Sequence, residues 1–153
     1  MRMKSLMLAL IFIFSVASGK MYANLGDSEQ TQKGNFIGAN LQELRVSQRA
    51  KVLVFTRPAG ALYVMLLDGK TEIETYVFDD SIVVSDIDVV GKLKEYSQDW
   101  NITSSNEKVT RFASADGEYF ALVGTLEAMH SDNTFSVFSK KWLEYAKEQS
   151  KKI

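Results

Sequence analysis

KVLVFTRPAGALYVMLLDGKTEIETYVF, residues Lys51–Phe78, decides the fold. Val52, Leu53, Val54 and Phe55 form a β-rich run that stops at Arg57-Pro58-Ala59-Gly60. The only proline, Pro58, and Gly60 two residues on mark a turn there. Leu62–Leu67 (LYVMLL) is a second apolar run, closed by Asp68-Gly69. That dipeptide accepts the positive φ angles of a two-residue hairpin loop. Thr71–Phe78 follows, with Ile73, Thr75 and Val77 alternating against Glu72, Glu74 and Tyr76. Period-two alternation predicts a strand with one buried and one wet face, the latter carrying Glu72 and Glu74 together.

Outward from this meander, Ser85 offers a helix N-cap. Val89, Leu93, Tyr96 and Trp100 follow at i, i+4, i+7 and i+11, and this spacing predicts an amphipathic helix over about 86–99. Lys108–Ala113, an Asp116-Gly117 turn and Tyr119–Leu126 (YFALVGTL) predict a second hairpin. His130-Ser131-Asp132-Asn133 reads as a polar loop. Phe135, Val137 and Phe138 read as a short strand, and Ser139 caps a closing helix over 140–149 with Trp142, Tyr145 and Ala146 on one side. On the N-terminal side, Asp27 with Gln30 three residues on predicts a short helix at about 28–34. An irregular stretch follows it, anchored by Phe36, Ile37, Leu41 and Leu44. The fold class is α+β: an antiparallel sheet with helices packed on one face, divisible into two helix-plus-three-strand halves, 24–84 and 85–153. A lone three-stranded sheet has an apolar face that needs such a cover.

The first residues read as an export signal. Arg2 and Lys4 precede the apolar run Leu6–Phe14, and small residues follow at 15–19. That order predicts a cleaved signal peptide over 1–23, cut after Gly19 or after Ala23, and a periplasmic or secreted product. The apolar run is too short for a bilayer span of about 20 residues. All 19 acidic residues lie beyond Gly26. Removing Arg2, Lys4 and Lys20 from the 18 basic residues leaves 15 against 19, net −4; retaining Lys20 gives −3. Neither charge suits nucleic acid, whose phosphates call for a clustered basic surface. The chain has no cysteine. This excludes a disulfide framework, thiol chemistry and the lipid-bearing cysteine of a bacterial lipoprotein.

Candidate chemistry is sparse. The single histidine, His130, stands beside Ser131 and Asp132, but adjacency in sequence is no evidence of a triad. One histidine without cysteine makes a poor zinc ligand set. No catalytic residue, metal site or cofactor is therefore assigned. The carboxylates Glu72, Glu74, Asp79, Asp80, Asp86 and Asp88 are the raw material of the alternative reading, a small hydrolase that cleaves glycan with a carboxylate pair. Tyr119, Phe135 and Trp142 are candidates for an exposed aromatic binding platform; burial in the core is their ordinary role.

Asn24-Leu25-Gly26-Asp27-Ser28-Glu29 and Leu66-Leu67-Asp68-Gly69-Lys70 resemble motifs of uncharacterised exported bacterial proteins. Their aromatic-Gly-x-Pro element is present only as Phe36-Ile37-Gly38, without the proline. The doubled helix-plus-sheet order is similar to the architecture of the β-lactamase inhibitor protein and of small outer-membrane assembly lipoproteins. The first resemblance implies no activity. The second is likeness of architecture and carries no function. The expected function is a non-enzymatic interaction module that binds a protein or envelope component through its sheet face, with no nucleic acid, lipid anchor or stable membrane span.

Overall fold

The computed structural model describes residues 25–79, 89–126 and 131–152. The expected signal segment, Ser85, Asp80, Asp86, Asp88 and His130 lie outside the described residues. Eight strands form one antiparallel sheet: β1 Asn40–Arg45, β2 Ala50–Arg57, β3 Gly60–Leu67, β4 Lys70–Phe78, β5 Trp100–Ser105, β6 Val109–Ser114, β7 Tyr119–Leu126 and β8 Ser131–Ser139. Their spatial order is β1-β2-β3-β4-β8-β7-β6-β5. Two four-stranded meanders therefore meet where β4 pairs with β8, Glu74 opposite Val137 and Tyr76 opposite Phe135. Among the described residues, the helices are α1 Glu29–Asn35, α2 Val89–Leu93 and α3 Lys140–Ser150.

The turn chemistry forms as expected at Asp68-Gly69. Leu67 pairs with Lys70, and the two loop residues take φ of 52° and 78°, the mirror-image turn that matches strand twist. Ser139 caps α3 by accepting the Trp142 N–H at 3.1 Å. For α1 the cap is Ser28, accepting from the Thr31 N–H, one residue beyond the expected Asp27. The Asp27 carbonyl is engaged elsewhere: it accepts from both the N–H and the Oγ1 of Thr71. The Leu-Gly-Asp-Ser motif thus pins the chain to the start of β4 before launching α1.

Three expectations are corrected. Each half of the sheet has four strands rather than three, because β1 and β5 form where an irregular stretch and a helix end were expected. Helix α2 stops at Leu93, and Trp100 opens β5 instead of ending the helix; its indole N–H donates to the carbonyls of Leu93 (2.8 Å) and Ser97 (3.0 Å). Residues 131–133 belong to β8 rather than to a loop.

Leu53, Phe55, Leu62, Val64, Leu66, Tyr76, Ala121, Phe135 and Val137, from five strands, join Phe36 and Leu93 in one buried cluster. Phe36 and Phe55 rings lie 4.9 Å apart, and Tyr76 and Phe135 6.2 Å. At the other end of α1, Glu29 and Lys33 meet Glu43 of β1 and Lys51 of β2. Lys51 reaches Glu29 at 2.7 Å and Glu43 at 2.8 Å, while Lys33 pairs with both carboxylates. These two lysines hold the Glu43 carboxyl down to about 2.

Candidate functional site

Two places stand out: a buried carboxylate at the centre of the sheet, and an exposed apolar edge. The carboxylate comes from β4. Met65 of β3 pairs with Ile73, but Leu66 pairs with Thr71, so Glu72 is an extra residue in β4. A bulge of this kind reverses which face the flanking side chains occupy. Thr71 and Glu74 consequently meet the same amide, Gln32 of α1, whose Nε2 donates at 2.9 Å to Thr71 Oγ1 and at 3.3 Å to Glu74 Oε1. Tyr96 Oη donates to Glu74 Oε2 at 2.5 Å. Glu74 is completely buried.

The electrostatics follow from that burial. Loss of water pushes the Glu74 carboxyl up to about 7; the Tyr96 hydrogen bond, the Lys92 charge and Gln32 oppose the rise, and Asp27 adds to it. Burial lowers Lys92 below its ordinary value, against the pull of Glu95 and Glu74. Its ammonium stands 5.0 Å from the Tyr76 ring centroid and 3.6 Å from Glu95. Burial also raises Tyr96, with Glu74 adding to the effect. The result is a carboxyl able to hold or release a proton near neutrality, enclosed by side chains from α1, β4 and the turn after α2.

Period-two alternation predicts Glu72 and Glu74 together on a wet strand face. They are buried and they part company. Glu72 accepts from Ser139 Oγ and pairs with Lys141 at 3.3 Å, so it serves the first turn of α3. Glu74 serves α1 and α2. The physical reason is that side chains from outside the strand lie over each carboxylate: Gln32 and Tyr96 over Glu74, Ser139 and Lys141 over Glu72. The bulge then gives each carboxylate its own set of donors. Asp79, the remaining described member of the carboxylate group, is exposed at the end of β4. Among the described residues, no group of three or more His, Asp or Glu side chains is placed to hold a metal ion.

Of the aromatic candidates, Phe135 lies in the core at 1 % exposure and offers no surface to a ligand. Tyr119 and Trp142 are partly buried, and the Trp142 ring packs 5.4 Å from that of Tyr145. Tyr145 in turn meets Ser47 Oγ at 3.2 Å and lies under the Arg49 guanidinium at 5.3 Å. Tyr145 therefore ties α3 to the β1–β2 hairpin, with Trp142 packed against it.

The second place was not foreseen. Every residue of β1 is exposed. Among the described residues, five large apolar side chains are exposed, and four belong to the short segment 37–46: Ile37 (70 %), Leu41 (39 %), Leu44 (56 %) and Val46 (61 %). The fifth, Ile102 (64 %), lies on β5 at the opposite edge. The two edges differ. Strand β5 carries an irregularity between Ile102 and Ser104, a device that bends an edge away from further pairing. Strand β1 is regular over six consecutive pairs with β2 and contains neither lysine nor proline. The available sequence signal is Ile37, Leu41 and Leu44, which with Phe36 read as the apolar anchors of an irregular stretch. Among the described residues, no helix is long and apolar enough to cross a membrane. No protein-family model, curated protein or solved structure matches the chain.

Proposed function

We propose that the chain is an exported, non-enzymatic interaction module that binds an extended protein segment along the open edge of β1. The observation that carries this reading is the regular, fully exposed edge strand with four exposed apolar side chains in residues 37–46. An unprotected edge presents unpaired N–H and C=O groups, and main-chain pairing there provides affinity while side chains provide selectivity. The edge takes the place of the sheet face as the binding element. In the same reading α1 and α2 form a cover on one face of the sheet, supported by the meeting of Gln32 and Tyr96 at Glu74 and by the shared cluster of Phe36 and Leu93. The cover holds the meander rigid and leaves its first strand open.

A photoreactive amino acid at Leu44 tests this, with one at exposed Glu107 as the control. In cells producing the full chain, residue 44 should cross-link to a discrete protein species and residue 107 should not. Identical adducts from both positions, or none from residue 44, would remove the reading.

A further inference from the structure

We infer that the partner strand is β1 of a second copy of this chain, paired antiparallel about a two-fold axis through Leu44. This rests on the β1 edge being the binding element. The Val46 N–H donates to the Ala50 carbonyl at 3.0 Å. In an antiparallel ladder that alternation turns the peptide groups of even-numbered β1 residues toward β2 and those of Leu41, Glu43 and Arg45 toward the open edge. Two copies joined edge to edge must match residues of like parity, so the axis passes through a residue. Centred on Glu43 or Arg45, the seam sets like charges face to face. Centred on Gln42, it sets Leu41 against Glu43.

Centred on Leu44, it sets Glu43 opposite Arg45 twice, Leu44 opposite Leu44, and Gln42 opposite Val46. Opposite charges directly across a ladder stabilise it, and like charges oppose it. Arg45 makes no ion pair among the described residues, whereas Glu43 holds Lys33 and Lys51. The second copy supplies a carboxylate to Arg45. Glu43 and Arg45, whose peptide groups face outward, exchange main-chain hydrogen bonds in this register. Leu44 becomes a non-hydrogen-bonded pair with side chains in contact. The product is one continuous sheet across two molecules, and its charge pattern selects a single register.

The absence of cysteine from the sequence makes the register directly measurable. In Leu44→Cys the two thiols belong to a pair with Cα atoms about 4.5 Å apart, within the range a disulfide spans. In Gln42→Cys, on the same face, they are displaced by four residues, about 13 Å along the strand, beyond that range. Mild oxidation at high protein concentration should give a covalent dimer of Leu44→Cys and leave Gln42→Cys without a covalent link. Sedimentation should show Arg45→Glu dimerising roughly tenfold more weakly than the parent chain, and Arg45→Lys close to it. Equal cross-linking at both positions, or none at 44 in a folded variant, overturns the second copy as partner. A hetero-protein adduct at residue 44 in cells would then preserve the interaction module, and no adduct would remove both.

Discussion

Glutamate 74 makes stability a function of pH in a way that can be isolated. Its carboxyl rises from an ordinary 4.5 to about 7 in the folded chain. Below about pH 4.5 the group is protonated in both folded and unfolded chains, so burial of the neutral acid carries no ionisation penalty. Between about 4.5 and 7 the unfolded chain releases its proton while the folded chain keeps it. The folded state then binds more protons, and stability falls as pH rises. Above about 7 both states are ionised and the contribution is constant. The full drop is about 3 kcal/mol, at about 1.4 kcal/mol per pH unit. Glu74→Gln keeps the shape and stays neutral throughout, with its amide carbonyl able to accept from Tyr96. Urea denaturation at intervals from pH 4 to pH 8.5 should show the parent chain losing stability across this window. The Gln variant should lack that loss and overtake the parent at the alkaline end by up to about 3 kcal/mol. Asp27, Glu95 and Tyr76 are common to both proteins, so the difference between the curves reports Glu74 together with the Lys92 and Tyr96 groups on which its charge acts. Parallel curves, or a Gln variant less stable at every pH, would refute a buried carboxyl that is neutral until near pH 7.

Other perturbations follow from the same geometry. Tyr96→Phe deletes the donor to Glu74 and should cost about 1–3 kcal/mol at pH 8, with a smaller loss at pH 5, read from thermal melts at the two pH values. Ser139→Ala removes both the cap on Trp142 and the contact with Glu72; a loss of about 1 kcal/mol with reduced helical circular dichroism is expected. Gly124→Ala brings a Cβ to 2.1 Å from the Lys108 carbonyl oxygen at φ 120°. Gly117→Ala has a positive φ with open space around it. The first should lower the melting temperature far more than the second, whose backbone cost is about 1 kcal/mol; equal effects would contradict the close β6–β7 approach.

The hairpins of the sheet were legible from local chemistry, since Asp68-Gly69 and the apolar runs around it specify β2 to β4 without help from distant residues. The two edge strands were not. Asn40–Arg45 has leucines three apart and no β-branched residue, and it is held as a strand by pairing with β2 rather than by its own preferences. Trp100 failed for the opposite reason. Its helical spacing with Val89, Leu93 and Tyr96 reports real proximity, because all four pack in or against one core cluster. A turn nevertheless separates α2 from Trp100, and the indole closes the helix end from the adjoining strand. Glu74 was misread because alternation states that one face differs from the other without stating which is wet. A central strand with a bulge placed the carboxylate inside, and the donors that permit it, Gln32 and Tyr96, are 42 and 22 residues away in sequence.

The joint already present within the chain bears on the one proposed between chains. The meander β1–β4 and the meander β5–β8 are united by antiparallel pairing of their last strands, β4 and β8. Each meander therefore enters the sheet with one edge consumed and one edge free. At the consumed edges the sequence provides complementary side chains: Tyr76 against Phe135 in the core, and Thr75 Oγ1 bonded to Ser136 Oγ at 2.7 Å on the other face. At the free edges the two halves diverge. The β5 edge is interrupted by its bulge and lined by Thr103, Ser104 and Ser105, with hydroxyls directed into local bonds to Arg111 and Thr110. The β1 edge is regular in its pairing, apolar in part, and carries one carboxylate and one guanidinium two residues apart. The bulge of β5 is one device by which a strand avoids pairing. One that pairs with its own image needs a centre tolerant of self-contact and flanking charges of opposite sign, which is the pattern Glu43-Leu44-Arg45 displays.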